Sequence, residues 1–411
     1  MPSRRAVGHS ARVAGSRTRT AVLVAAALVV VLGLVGVWAG LRVPVRPVAH
    51  TTWAVPQAPP AAAAPTGPRT LTVLGAGDVL LHPPLWEQAA ADARAQGRSG
   101  YDFGPVFAAV KPDVSAADLA ICHLETPLGE AGGPFSGYPS FSVPPQVTLA
   151  IKDTGFDTCS TASNHTLDAG EKGVYRTLDA LDAAGLHHAG SYRDATSQQN
   201  PNIVDVNGVK VAQLSYTFGF NGLQRPAGKG WIANLIDPAA IIAEAKRARV
   251  AGAQIVVVST HWGTEYDFGA NADQQRWALQ LLAAPEIDLI LGCHAHVVQP
   301  FEKINGKWVV YGMGNEVARH SDPVDASREG VMPRFTFTET APGQWRVTKA
   351  EALPTWVDLS PQIRVVELPR ALADPATPAP QRAVYQAAYD RIDKYLRSRG
   401  AGLAGLAVAG S

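Results

Sequence analysis

Apolar positions along this chain follow two periods. Short runs rich in β-branched residues, at 71–74, 119–121, 203–214, 255–259, 289–291 and 308–311, predict strands. Between several of them the spacing changes to i, i+3 or i+4, in GVYRTLDALDAA (173–184), PAAIIAEAKRARVA (238–251) and DQQRWALQLLAA (273–284), which predicts helices. Strands alternating with helices mean an α/β protein. Two Asn-Gly pairs, in VDVNGVKVAQL and INGKWVVYG, sit between alternating apolar residues and predict hairpins, so the sheets should be mixed. After Pro333 come two further strand-like runs and a helix near 381–396. No internal repeat is visible.

A third pattern precedes all of these. Residues 21–40, AVLVAAALVVVLGLVGVWAG, form an uncharged apolar run of 20 residues, long enough as a helix to cross a bilayer of roughly 30 Å. Arg4, Arg5, Arg12, Arg17 and Arg19 lie before it, which predicts a cytoplasmic N-terminus and an exported remainder. The run exceeds the apolar core of most cleaved signal peptides, so an uncleaved anchor in the cytoplasmic membrane is expected, with Ala39-Gly40 a weak cleavage cue. The expected organisation is a basic cytoplasmic segment (1–20), a single membrane span (21–40), a Pro- and Ala-rich spacer (41–69), a core domain (70–335), and C-terminal strands, helix and flexible tail (336–411).

Charge changes the picture of partners. The formal net charge is +1, but residues 1–69 hold eight Arg and no acid, which leaves 28 basic residues against 35 acidic ones in the exported part. An acidic domain lacks the basic face that nucleic acid requires, so no nucleic-acid partner is expected. An anionic substrate would need a local cation. The three cysteines, Cys122, Cys159 and Cys293, are odd in number and lack CxxC spacing, so no disulfide framework is expected and they carry no assigned chemistry.

Candidate chemistry collects where the strands end, as ligands do in open α/β sheets. LTVLGAGDVLLH places Asp78 just past its strand, DLAICHLETPL places Glu125, and GFDTCSTASNHTLDAG ends in Asn164, His165 and Asp168. QIVVVSTHWGTEY supplies His261 and Glu265, and LILGCHAHVVQP supplies His294 and His296, whose i, i+2 spacing puts both imidazoles on one face of an extended backbone. Taken singly, each is equally a turn residue, a cap or a half-exposed histidine. Five consecutive strand ends with oxygen and imidazole donors point instead to a metal site suited to Mn, Fe or Zn.

The series GD, LE, SNHTLDAG, HWGTEY, GCHAHVVQP and YGMGN, in this order over residues 71–317, resembles the CapA-type poly-γ-glutamate capsule-biosynthesis proteins, a branch of the calcineurin-like metallophosphoesterases. The resemblance implies a sandwich of two mixed β-sheets flanked by helices. It implies that Asp78 and His296 hold one metal, that Asn164, His261 and His294 hold the other, and that Glu125 bridges them. It places His165 at the acid position and Asn315 in a motif facing the site; Asp168, three residues after His165, is spaced to orient that imidazole if a helix begins there, and Glu265 and Asn315 are expected at substrate. Two departures stand out. The family's Asp-x-His is here Asp78-Val79-Leu80, with His82 a candidate substitute, and the residue before Leu-Glu is His123 rather than Asn. Glu316 likewise replaces an apolar residue, while His187 and His188 read as structural. The implied function is a membrane-anchored, outward-facing hydrolase of capsule or envelope polymer metabolism, acting on a phosphoester or an anionic polymer and working beside other capsule-synthesis membrane proteins. The alternative is a non-catalytic surface protein that escorts an anionic polymer during export.

Overall fold

The computed structural model describes residues 67–320 and 324–411; the expected anchor and spacer lie outside the described residues. Among the described residues fifteen strands form two sheets. In chain order they are β1 (Thr70–Leu80), β2 (Leu119–Leu124), β3 (Thr158–Ser160), β4 (His187–Ala189), β5 (Asn202–Val206), β6 (Val209–Thr217), β7 (Ile255–His261), β8 (Leu289–Cys293), β9 (Phe301–Ile304), β10 (Lys307–Val310), β11 (Asn315–Ala318), β12 (Glu329–Ala341), β13 (Gln344–Asp358), β14 (Arg364–Glu367) and β15 (Leu406–Val408).

The first sheet runs β14-β13-β12-β1-β2-β3-β4, with β11 beside β1 and β15 beside β13; the second runs β5-β6-β7-β8-β10-β9. Both are mixed, parallel through β1-β2-β3-β4 and β6-β7-β8-β10, and antiparallel elsewhere along their main paths. Period-two alternation explains the layers. Leu71, Val73, Leu119, Ile121, Val257, Leu289 and Val310 face the core between the sheets. Their neighbours Leu74, Ala120 and Cys122 face outward under helices Pro83–Ala95 and Val147–Thr154, while Val256, Val258 and Ile290 pack under Pro238–Val250 and Ala272–Ala283. The result is a helix-flanked sandwich. Both Asn-Gly pairs form tight hairpin turns with positive φ at each residue, Asn207 (53°) and Gly208 (79°), Asn305 (52°) and Gly306 (79°).

Three expectations change. Cys122 and Cys159 lie directly opposite in the β2–β3 register, 4.5 Å apart at Cα, and form a disulfide, whereas Cys293 is free and buried. Their sequence spacing gave no sign of it, because the pairing arises from strand adjacency. Pro333 lies inside β12 instead of before it; β1 pairs with β12 only as far as Arg334, so the missing N–H of Pro333 falls where that ladder has ended. The same strand spans the expected domain boundary at 335. The last residues, expected as a flexible tail, include β15, which adds to the first sheet beside β13.

Candidate metal centre

Asp78 reaches the site because β1 is irregular there. Its pairing with β2 shifts register between Gly75 and Asp78, and its pairing with β11 shifts between Asp78 and Val79. Gly77 permits this close approach, since a Cβ there would lie 2.1 Å from the Gly314 carbonyl oxygen. Asp78 is fully buried. Around it the strand ends converge: His123 Nε2 lies 3.6 Å from Oδ1, His261 Nδ1 3.9 Å from Oδ1, and His296 Nδ1 3.3 Å from Oδ2. The His294 amide N–H donates to both oxygens, at 3.3 and 3.2 Å. Glu125 Oε1 lies 3.8 Å from His261 Nε2 and 3.9 Å from His296 Nε2.

The two histidines of GCHAH do not converge as neighbours on an extended strand. β8 ends at Cys293, and His294 and His296 then take positive φ of 96° and 54°, a region that bulky residues avoid. Their rings nevertheless stand 6.0 Å apart, because the turn brings both over the strand ends. Backbone strain of this kind clusters at functional sites.

Three overlapping sets of donor atoms lie within 4.8 Å of one another: Asp78, His123 and His261; Asp78, Glu125 and His296; Glu265, His294 and His296. Asn164 adds its Oδ1 2.8 Å from His261 Nε2, and its amide donates to Asn221 at 3.2 Å. Glu265, expected at substrate, is thus placed among the donors as well. Asn315 is corrected: it is fully buried, with Oδ1 3.0 Å from His296 Nδ1 and Nδ2 donating to the Ser327 carbonyl, so it orients His296 instead of facing substrate. His82 joins none of these sets; its Nδ1 accepts the Arg319 amide N–H at 3.3 Å.

His123, outside the expected ligand set, stands in one donor set with Asp78 and His261. The chain lacks the histidine two residues after Asp78, and His123, held by Ser160 Oγ at 2.7 Å from its Nδ1, presents the other nitrogen to the same carboxylate from the adjacent strand. The departure from the family pattern before Leu-Glu was the available signal. His320 gave no such signal, yet its ring lies 5.3 Å from that of His296.

The cluster is not self-sufficient. Both oxygens of Glu125, His123 Nε2, His261 Nδ1 and His294 Nδ1 are buried without a hydrogen-bond partner. Burial, then Asp78, pushes the Glu125 carboxyl well above its usual range, while burial depresses His123 to about 4 and His294 to about 3 and lowers His261 too. Burial opposes charge on His296, but Glu125 and Asp78 outweigh it and raise that imidazole to about 10. Buried donor atoms that aim at one another without a hydrogen-bond partner fit a divalent cation, which satisfies carboxylate and imidazole together. Asp78, Glu125, Asn164, His123, His261, His294 and His296 fit that role.

Beside this centre, His165 and Asp168 form a separate pair. The turn after β3 continues to Ala169 before helix Gly170–Ala183 begins, and it brings His165 Nδ1 to 2.7 Å from Asp168 Oδ2. The same oxygen accepts the Phe141 amide N–H at 2.9 Å, and the Phe141 ring stands edge-on to the imidazole. His187 and His188 lie on β4, outside the donor sets.

Comparison with known proteins agrees with the family resemblance. The chain is 30% identical over 209 residues to the PGA biosynthesis protein CapA of Bacillus subtilis, covering 48% of this chain and 51% of that one. It is 27% identical over 290 residues to a probable polyglutamine synthesis accessory protein of Mycobacterium tuberculosis, covering 61% and 75%. The chain therefore spans about half the length of the Bacillus relative. Among solved structures, the calcineurin-like phosphoesterase YfkN of Bacillus subtilis covers 81% of this chain and 100% of that one at 13% identity, with a TM-score of 0.39, too weak a likeness to carry a functional inference. Residues 72–320, more than half of the chain and including every donor named above, match the family described as bacterial capsule synthesis protein PGA_cap, and the chain belongs to that family.

Proposed function

We propose that this protein is a metal-dependent hydrolase of capsule or cell-envelope polymer biosynthesis, anchored in the cytoplasmic membrane by residues 21–40 with residues 70–411 outside. One observation carries the catalytic part: seven converging buried donors, several of them without a protein partner. Asp78, Glu125, Asn164, His123, His261, His294 and His296 would hold a divalent ion, which would supply Lewis acidity and hydroxide near neutral pH. The chain's own residues supply the rest. Asn315 fixes the ring of His296, Ser160 that of His123. His165 donates its Nδ1 hydrogen to Asp168, which leaves Nε2 to give a proton to the leaving group, and the Phe141 amide keeps the carboxylate in place.

The histidine missing after Asp78 argues for the rival reading, an escort without catalysis. His123 supplies an imidazole at that carboxylate, which favours catalysis. Export is supported by the five N-terminal arginines and by the Cys122–Cys159 disulfide, a bond that persists in oxidising compartments. The test is a panel of phosphomonoesters, phosphodiesters and γ-glutamyl peptides offered to the metal-loaded protein. Turnover of any class supports the reading, and its absence across all three returns the escort. A reporter fused after Ser411 should work only if it needs an extracytoplasmic location; cytoplasmic activity would overturn the topology.

A further inference from the structure

Of the strands whose ends carry donors, β3 is the shortest. All three of its residues pair with β2: Thr158 with Ile121, Cys159 with Cys122 and Ser160 with His123. Its other neighbour, β4, is equally short. In-register partners share a face of a sheet, and successive residues alternate between faces. Cys122 and Cys159 therefore lie together on the outer face, fully buried in the core under helix Val147–Thr154. His123 and Ser160 lie together on the opposite face, toward Asp78. The disulfide thus stands one residue before the pair that carries a donor.

A relay of hydrogen bonds sets the state of that donor. The Ser160 hydroxyl donates to the Cys122 carbonyl at 3.2 Å. A hydroxyl has one hydrogen, so toward His123 Nδ1, 2.7 Å away, its oxygen accepts. His123 then carries its hydrogen on Nδ1. Its Nε2, buried without a partner and 3.6 Å from Asp78 Oδ1, is left with the lone pair that a cation requires. Beyond this point the two strand ends are tied again, where Ser163 Oγ donates to the Glu125 carbonyl at 2.6 Å.

We propose that the Cys122–Cys159 disulfide and Ser160 form one positioning device for His123, and that the cluster gains its full affinity for a divalent ion only in a chain whose two thiols have been oxidised. The bond holds the three-residue strand in register. That register places the Ser160 hydroxyl between the Cys122 carbonyl and the ring, and the hydroxyl selects the tautomer. Oxidation is an exchange with a disulfide donor: the Cys122 and Cys159 sulfurs bond to each other, and the donor leaves as two thiols with both electrons and both protons. Because both cysteines are fully buried, the exchange precedes closure of the strands over them. In a reducing cytoplasm the thiols stay free and β3 is held by its short ladders alone, so the centre fills after export. This rests on the reading of the cluster as a metal centre.

The test starts from metal-free, full-length protein in detergent, isotopically labelled at the histidine nitrogens, because their magnetic-resonance shifts report the tautomer without metal or turnover. The signals absent from His123→Asn identify His123. Wild type should carry the hydrogen on Nδ1. Ser160→Ala, the double variant Cys122→Ala with Cys159→Ala, and wild type purified with both thiols reduced should each show mixed tautomers. In competition with a chelator, each should bind Zn²⁺ about 10- to 100-fold more weakly than the oxidised wild type. On the His123→Asn background, Ser160→Ala should change affinity by less than about twofold, because its effect passes through the imidazole. Hydrogen on Nε2 in wild type, wild-type affinity in the reduced chain or in Ser160→Ala, or equal loss on both backgrounds would overturn the proposal. So would a reduced chain that denaturant melts show to be unfolded, since the bond would then support the whole domain and not this strand; Ser160→Ala, which keeps the bond, still tests the hydroxyl. The expected tautomers in proteins that bind no divalent ion would overturn the metal reading beneath the proposal and leave the positioning of His123 in place.

Discussion

Two buried polar clusters lie within a few residues of each other at the ends of β7 and β8, and they are built on opposite principles. Beyond His261 and His296, the side chains of Trp262, Gln274 and Gln299 close on themselves. Trp262 Nε1 donates to the Tyr311 carbonyl at 2.8 Å, Gln274 Nε2 to Gln299 Oε1 at 2.7 Å, and Gln299 Nε2 to the Asp267 and Gly269 carbonyls at 2.8 and 2.9 Å. Gln274 Oε1 in turn accepts the Asn271 amide N–H at the start of helix Ala272–Ala283. None of these atoms lacks a partner. The neighbouring cluster, equally buried, leaves five donor atoms on four side chains unsatisfied. The first arrangement is complete as protein and specifies the fold. The second is complete only with a ligand.

Glu316 refines this distinction. Both of its oxygens are buried without partners, yet it stands in none of the donor sets. An orphaned acid alone is therefore not a metal site; convergence of several donors is the criterion.

The largest expected effect falls on chemistry. His165→Ala should retain metal and lose turnover by roughly 10² to 10⁴, the range for removing a general acid or base. The loss should shrink on an ester whose leaving group needs no protonation. Equal loss on activated and unactivated esters, or loss of metal, would remove the acid role.

Next is the lone acid. Burial raises the Glu316 carboxyl to about 8, against about 4.5 in the unfolded chain, so between those values the native state holds a proton that the unfolded state has released. Stability is full below pH about 4.5, falls as pH rises and levels off above about 8, a contribution on the order of a few kcal/mol. Glu316→Gln should flatten that slope in denaturant melts at successive pH values. An unchanged slope would show that the carboxyl is compensated.

The closed cluster should respond in stability alone. Gln299→Ala strands Gln274 and two carbonyls and should cost about 1–3 kcal/mol in a denaturant melt, with metal content unchanged. Asn315→Ala should do the converse, lowering metal affinity about 10- to 100-fold through the freed ring of His296. If the two variants gave the same pattern, the contrast between the clusters would fail.

Much of this was legible in the chain because each strand end carries its donor within a few residues of a recognisable apolar run. Asp78, Glu125, Asn164, His261, His294 and His296 all came from that reading. What escaped depended on neighbours distant in sequence. The Cys122–Cys159 bond needs the β2–β3 register, and the role of His123 needs the irregular end of β1 beside it. Arg319 and His320 follow β11 in a loop with no periodic pattern, so only the fold shows that they line the cavity beside Glu265. The geometry of His294 and His296 differs from the sequence pattern for a related reason: alternation predicts an extended backbone, and left-handed residues after Cys293 carry the rings there instead.

The account's central claim is that the unsatisfied cluster holds a divalent ion, and elemental analysis of the purified full-length protein tests it directly. Wild type and His187→Ala should retain one or two equivalents of Mn, Fe or Zn after dialysis, while His261→Ala and His296→Ala should each lose at least one. Metal-free wild type under conditions of metal supply, or equal occupancy in all four proteins, would contradict it.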